Sequence, residues 1–342
     1  MPTRISTVVL RYVFATALAA TFATTSVAQT PDAPPRRLGV FFWHDSPNDR
    51  ATFEGIQLGL RQAGIPVDWL EREADSDEAR AEAMLRELAD SDRELVFVMG
   101  TTAALLAKQV IQDKPVVFAA VSDPVASGVV PSWLGSDQDN LCGATNWISP
   151  QNVLDVFDLA VPRLRKLGML RSESGTVVSR AELARMRTWL SAHPKTEIEL
   201  VESMTPDTAG IGAAVRRLIA AEVDAIWIPI DLTIYSNLRA VQRALGERKI
   251  PLLTTAAAGV RSGAVVGTIA DYPLHGRRAA NVAAQVLLHG KRPRDLPIDR
   301  MAGNLVVVNL GVARELGLEL PLSLLVLADR LVDDRPAAGA PK

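Results

Sequence analysis

The sequence predicts an α/β protein of two Rossmann-like lobes with parallel sheets and a cleft between them. Three observations carry this expectation. Short apolar strands alternate with amphipathic helices along nearly the whole chain, the pattern of parallel sheets covered by helices on both faces. The alternation forms two series, with a break near Ser149. Almost every strand runs into a hydroxyl or a carboxylate, and open parallel sheets bind ligands beyond the carboxyl ends of their strands.

The elements follow in order. Residues 38–43 are a strand, and 49–63 a helix with Phe53, Ile56, Leu60 and Ala63 on one face. Residues 67–70 are a strand, 75–90 a helix, 95–99 a strand and 101–112 a helix. Residues 116–121 form an apolar strand that Pro124 stops. The second series opens with a helix at 150–160, then a strand at 166–170 and a helix at 179–192. Strand 198–202, helix 207–221, strand 225–228 and helix 233–248 continue it. Strands at 251–254 and 264–269 precede a helix at 274–288, and a strand at 305–308 leads into a helix at 310–316. Residues 29–37 read as a linker and 335–342 as a frayed tail.

Composition narrows the function. The 342 residues are 48% hydrophobic and 22% charged, which is globular and long enough for about two domains. Arg4 and Arg11, a low-charge run over 12–23 and the small-residue stretch Ser26-Val27-Ala28 read as a secretory signal cleaved near Ala28. No cysteine follows that run to carry a lipid. Loss of residues 1–28 takes Lys plus Arg from 37 to 35 against 39 acids, a net charge of about −4. There is no basic patch, which argues against nucleic acid or an anionic membrane as partner. Cys142 is alone, so no internal disulfide forms, and it reads as a small buried apolar residue.

The strand ends supply the candidate site. They carry His44-Asp45-Ser46, Gly100-Thr101-Thr102, Ser122-Asp123, Arg171-Ser172, Ile230-Asp231 and Thr254-Thr255. Singly, Thr101 and Asp231 read as helix N-caps; together the set suggests convergence on one cleft. A helix N-terminus also offers free N–H groups to an anion. Enzyme signatures are thin, with no G-x-S-x-G elbow and no P-loop. His44, His193, His275 and His289 show no metal-ligand spacing, and no cofactor motif is present.

The stretch GTTAALLAKQVIQDKPVVFAAVSDPVASGVV resembles the central block of the ABC-transporter substrate-binding protein family that includes the tryptophan-binding type. CGATNWISP (142–150) and LVVVNLGVARELGLELPLSLLVLADRLVDD are similar to its lobe crossing and its C-terminal signature. The resemblance runs from Leu38 to Asp334. It implies a type I periplasmic-binding-protein fold, its two lobes joined by hinge strands, with lobe one at 36–147 plus 272–298 and lobe two at 148–271 plus 299–334. Hinges are expected near 146–149, 270–272 and 300–303. It further implies a monomeric periplasmic protein, not an enzyme, that holds a small amino-acid-like ligand and serves an ABC permease of the inner membrane. Ligand-binding candidates are then Asp45, Thr101, Thr102, Ser122, Asp123, Asn146, Asp231, Thr255 and Tyr272. Thr101 and Thr102 would take a ligand carboxylate, and Asp123 would pair with an ammonium or brace its loop. Asp231 and Thr255 would close from lobe two, with Phe53, Trp147 and Tyr272 as an apolar wall. The loops WHDSPNDRATFEG, SESGTV and PSWLGSDQDN depart from the family pattern and flank the cleft. Two other functions fit the residues: a periplasmic sensing module for a membrane receptor, and an exported hydrolase using Ser122, Asp123 and His44.

Overall fold

Two sheets follow from the two series of strands. The computed structural model describes residues 34–173, 177–300 and 303–333. The expected signal peptide and tail lie outside the described residues, as do parts of the 172–177 loop and of the hinge expected near 300–303. The first series is β1 (Arg36–Phe42), α1 (Pro47–Gln62), β2 (Val67–Glu73), α2 (Glu78–Asp90), β3 (Leu95–Met99), α3 (Thr101–Val110), β4 (Val116–Val121) and β5 (Leu141–Thr145). The second is α4 (Pro150–Ala160), β6 (Lys166–Ser172), α5 (Val177–Ala192), β7 (Glu199–Thr205), α6 (Ile211–Ala220), β8 (Ala225–Ile228), α7 (Leu232–Tyr235), α8 (Leu238–Leu245), β9 (Leu252–Thr254), α9 (Ala257–Arg261) and β10 (Val266–Ile269). The chain then adds α10 (Tyr272–His289), β11 (Asp299–Arg300), β12 (Leu305–Asn309), α11 (Leu310–Leu316), α12 (Leu322–Leu327) and β13 (Arg330–Val332).

The first sheet has the order β11-β5-β4-β3-β1-β2 and the second β13-β12-β10-β9-β8-β6-β7. Both wind the same way. The strand order reverses between β1 and β3 in one sheet and between β6 and β8 in the other, so each sheet has a crevice at its switch point. Every pairing is parallel except β10 with β12, which departs from the all-parallel expectation. Although residues 299–334 were expected in lobe two, Asp299–Arg300 pairs with β5 and extends the first sheet.

Each sheet is covered on both faces. Phe42, Phe53 and Phe97 pack with α1 and α10 on one side of the first sheet, and Phe118, Leu85 and Ala103 with α2 and α3 on the other. Phe157, Met186 and Trp227 and then Leu218, Ile226 and Val241 do the same for the second. Each of the Leu, Ile, Val, Met and Phe side chains among these contributes about 1.5–3 kcal/mol on burial. Helix α10 leaves the second series and docks on α1 of the first. That crossing is close because Gly55 and Gly276 face one another: a Cβ on Gly276 would stand 1.9 Å from the Thr52 carbonyl oxygen.

Several boundaries moved for local reasons. Helix α1 starts at Pro47, because Ser46 caps it and Pro suits the first turn. Helix α2 starts at Glu78, since Asp75 and Ser76 take left-handed backbone conformations and Asp77 is the cap. The helix expected over 233–248 breaks at Ser236–Asn237 into α7 and α8. Strand β5 was read only as a crossing; its Gly143 lets it lie against Phe118, whose carbonyl oxygen would be 2.4 Å from an added Cβ. No described helix is long and apolar enough to cross a membrane.

Candidate functional site

The site begins with the end of β4. Its register against β5 shifts between Phe118 and Val121, and Ala120 there has φ 55°. A left-handed alanine needs support. His275 of α10 supplies it, since Nε2 accepts the Ala120 N–H at 2.8 Å. Burial, followed by the Arg278 charge, pushes the His275 pKa down to about 3. The ring is therefore neutral, with its proton on Nδ1, which has no partner among the described residues. The bulge aims Ser122 and Asp123 beyond the sheet.

Asp123 is 6% exposed. Its Oδ1 accepts the Ala126 N–H at 2.9 Å, and its carbonyl accepts the Ser127 hydroxyl at 2.6 Å, so it does brace its loop. Its other oxygen, Oδ2, accepts Arg185 Nη1 at 3.0 Å. Arg185 lies on α5 of the second lobe, so this ion pair crosses from one lobe to the other.

Glu182 precedes Arg185 by one turn of α5 and is 8% exposed. Its Oε2 accepts the Ile230 N–H at 2.8 Å, at the end of β8. Burial raises its pKa, while Arg185, that N–H and the Thr255 hydroxyl oppose the rise. The Thr255 hydroxyl is buried and makes no well-formed hydrogen bond. Across the cleft, Asp49 in the first turn of α1 is also raised by burial, against the Ser46 hydroxyl that hydrogen-bonds it at 2.7 Å. Tyr272 feels both acids: burial, then the charges of Asp49 and Glu182, raise its phenol, and the Asn146 side chain holds it down. Asn146 is buried with its Oδ1 unpartnered among the described residues. Asp123, Asn146, Glu182 and Thr255, all buried, and the half-buried Arg185 and Tyr272 thus form a polar set fed by both lobes.

The expected residues divide accordingly. Asp123, Asn146, Thr255 and Tyr272 belong to this set. Ser122 is half-buried beside Asp123, and Thr101 is half-buried at the start of α3, where Gly100 (φ 90°) rather than Thr101 is the N-cap. Thr102 is exposed. Asp45 is exposed and paired at 2.6 Å with Arg50, which also reaches Glu71 and covers the Phe42 ring. Asp231 is fully buried and saturated. It accepts the Ser172 N–H at 2.7 Å, the Ser172 hydroxyl at 2.9 Å and the Ile234 N–H at 3.2 Å, so it is a cap and a loop brace. Phe53 is core, edge-on to Phe42 and Trp69. Trp147 packs on Trp133 and lines a pocket of about 390 Å³ with Asn152, Arg300 and Asn304, beside the hinges. Cys142 is buried, its thiol pushed up to about 12.

Among the described residues, no histidine bonds Ser122 or Asp123. His44 instead gathers with Glu73 and Asp75, with ligand atoms within 4.8 Å of one another. Such a group could touch a cation, though two of its members are exposed. The set offers donors, acceptors and both signs of charge.

Glu182, Arg185, Asp49 and His275 were not anticipated. Glu182 and Arg185 had a signal: they share a face of α5 with the core residues Leu183 and Met186, where a charged pair is out of place. His275 sits in the buried stripe of α10 with Ala279, Val282 and Ala283.

Comparison with known proteins is consistent with this geometry. A family model described as ABC transporter substrate binding protein matches residues 38–332. A tyrosine-binding protein of Clostridioides difficile is 24% identical over 255 residues, covering 75% of this chain and 71% of that protein. The L-Trp complex of an ABC domain from Streptococcus pneumonia superposes with TM-score 0.71 at 25% identity, covering 87% of this chain and all of that one. A ligand-free, open substrate-binding protein of Clostridium difficile gives TM-score 0.76 at 22% identity, covering 88% and 100%. Fold, cleft and family model agree: the chain belongs to the ABC transporter substrate-binding protein family.

Proposed function

We propose that this protein is the periplasmic solute-binding component of an ABC importer and takes a single amino acid between its lobes. The observation that carries this reading is the ion pair between the buried Asp123 and the half-buried Arg185, beside acceptors that have no hydrogen-bond partner among the described residues. A zwitterion matches such a site, because it brings one charge of each sign. The tyrosine-binding relative and the L-Trp complex support an amino acid, and an aromatic one first. Ser122, Asp123, Asn146, Thr255 and Tyr272, with Thr101 at the rim, are the proposed ligand contacts; the buried Asp231 and the exposed Asp45 serve structure instead.

In this reading the chain is exported, cleaved near Ala28 and monomeric, and it hands its ligand to a permease without catalysis. Lobe one is residues 36–147 with 272–300, lobe two is 148–271 with 303–334, and closure bends the segments near 146–149, 270–272 and 300–303. A thermal-shift screen of residues 29–342 against the common amino acids tests it. A ligand at 100 times its dissociation constant stabilises by about 2.7 kcal/mol. Stabilisation by one or a few amino acids is the expected result. No shift with any of them, and a shift with sugars or nucleosides, would overturn the amino-acid assignment.

A further inference from the structure

We infer that Arg185 receives the carboxylate of the ligand, and that the Asp123–Arg185 pair stands where the two charges of the ligand go. The inference rests on the amino-acid reading above and adds a residue and an orientation to it.

The pair is unusual in its setting. The other ion pairs of known partners lie on the surface or within one lobe, whereas this one links strand end β4 of the first lobe to helix α5 of the second, with side chains 7% and 15% exposed. Burying two charges is costly unless their partners are good. Here the partnership is incomplete. A guanidinium has five N–H donors in a planar fork, and Arg185 spends one on Asp123 with no other hydrogen bond among the described residues. A carboxylate can take two parallel bonds from that fork.

The first lobe shows the complementary deficit. Val121 lies opposite Thr145 in the β4–β5 register, so Ser122 and Asp123 run beside Asn146. Asn146 is 7% exposed and its Oδ1 lacks a donor. An ammonium has three N–H donors. It satisfies Asp123 Oδ2 once Arg185 turns away, and it offers another to Asn146. An α-amino acid holds its two charged groups one carbon apart, so it can enter between Asp123 and Arg185, ammonium toward the first and carboxylate toward the second. Each protein charge then exchanges one ionic partner for another, and the ligand becomes the bridge between lobes. Glu182, one turn before Arg185 on α5, sets an acid beside the place of the ligand carboxylate, which favours a ligand that brings an ammonium with it. The site therefore selects zwitterions over simple acids.

Calorimetric titration of residues 29–342 with L-tryptophan and L-tyrosine, tryptamine and tyramine, and the corresponding deaminated propionic acids tests this. Arg185→Gln is expected to weaken the amino acid about 30-fold or more, the range of a charge-assisted bidentate pair. It should leave the amine within about threefold of its wild-type affinity. Asp123→Asn should do the reverse, sparing the propionic acid and weakening the amine. Arg185→Lys, which keeps the charge without the fork, should fall between. If Arg185→Gln binds the amino acid as wild type does, or loses amine and acid equally, the inference is overturned while the amino-acid reading stands. If the wild-type protein binds no amino acid, that reading fails and this one with it. Should Arg185→Gln not fold, the neutral double variant Asp123→Asn/Arg185→Gln leaves no orphan charge; a loss of about 100-fold or more for the amino acid is then expected, and unchanged binding overturns the proposal.

Discussion

The two lobes share a winding order but finish their switch points differently. In the second lobe, the crevice between β6 and β8 is closed by its own residues. Asp231 and Ser172 hydrogen-bond each other across the two strand ends, and nothing on either is left over. The charges it turns toward Asp123 and the β8 end, Arg185 and Glu182, come instead from a helix face. In the first lobe, the crevice between β1 and β3 is left open by Gly100, and α3 starts without a side-chain cap. There the acid proposed to meet the ligand, Asp123, is on a strand end, and the bulge before it is supported by His275 on a helix that returns from the other lobe's series. One fold thus reaches the same cleft by two routes. The strand-end rule finds the first and misses the second.

The sharpest break of this comparison is Asp231→Ala. If Asp231 is structural, removal takes away the acceptor that the Ser172 N–H, the Ser172 hydroxyl and the Ile234 N–H share in a buried place, at a cost of about 3–5 kcal/mol. The melting temperature should fall steeply, while the affinity of the protein that remains folded stays near wild type. A large loss of affinity at unchanged stability would return Asp231 to the ligand site.

Next comes His275. Replacement by Ala leaves the Ala120 N–H unsatisfied and opens a hole under α10, about 2–3 kcal/mol together. His275→Gln keeps an acceptor and should recover about half of that. The pH dependence has a definite sign. The pKa in the fold is about 3, below the ordinary 6.5. The contribution is therefore complete above pH 6.5 and is lost as pH falls from there toward 3, because only the unfolded chain takes the proton. Asp49 and Glu182, both raised, act in the opposite direction. The wild-type protein should thus lose more stability than His275→Gln between pH 7 and 5, by at most about 1.4 kcal/mol per pH unit. Parallel curves in urea unfolding at the two pH values would show that His275 does not carry this linkage.

These differences explain what could be read from the chain. Continuous apolar runs such as Val116–Val121 and Leu95–Met99 announce buried parallel strands, because nothing else short and apolar ends so abruptly at Gly100 or Pro124. Strand β5 hid because Cys142 and Gly143 weaken its strand character, and its place depends on a long-range fit to Phe118. Asp123 was legible as a strand-end acid; its partner was not, since Arg185 is 62 residues away and only tertiary packing joins them. Asp231 was legible as a polar group at the right end of a strand, but whether it faces a ligand or Ser172 is decided by the β6–β8 pairing. Helix-borne charges look like solvated faces until the face is shown to be buried.

The smallest expected effect is the cleanest test of the first lobe. Asp45 follows β1 at the same level as the switch point, so by strand-end logic alone it should bind ligand. In the structure it is exposed and paired with Arg50, whose pKa is raised first by Asp45 and then by Glu71. Salt screens such a pair, and Arg50 keeps Glu71 and the Phe42 ring when Asp45 is gone. Asp45→Ala should therefore cost less than about 0.5 kcal/mol of stability and leave ligand affinity within about twofold. The same titration applied to Thr101→Ala, at the half-buried start of α3, is expected to give the larger change. Were Asp45→Ala the more damaging of the two, the cleft of the first lobe would have to extend outward over the α1 loop, and the division between its open crevice and its ion-paired rim would be drawn in the wrong place.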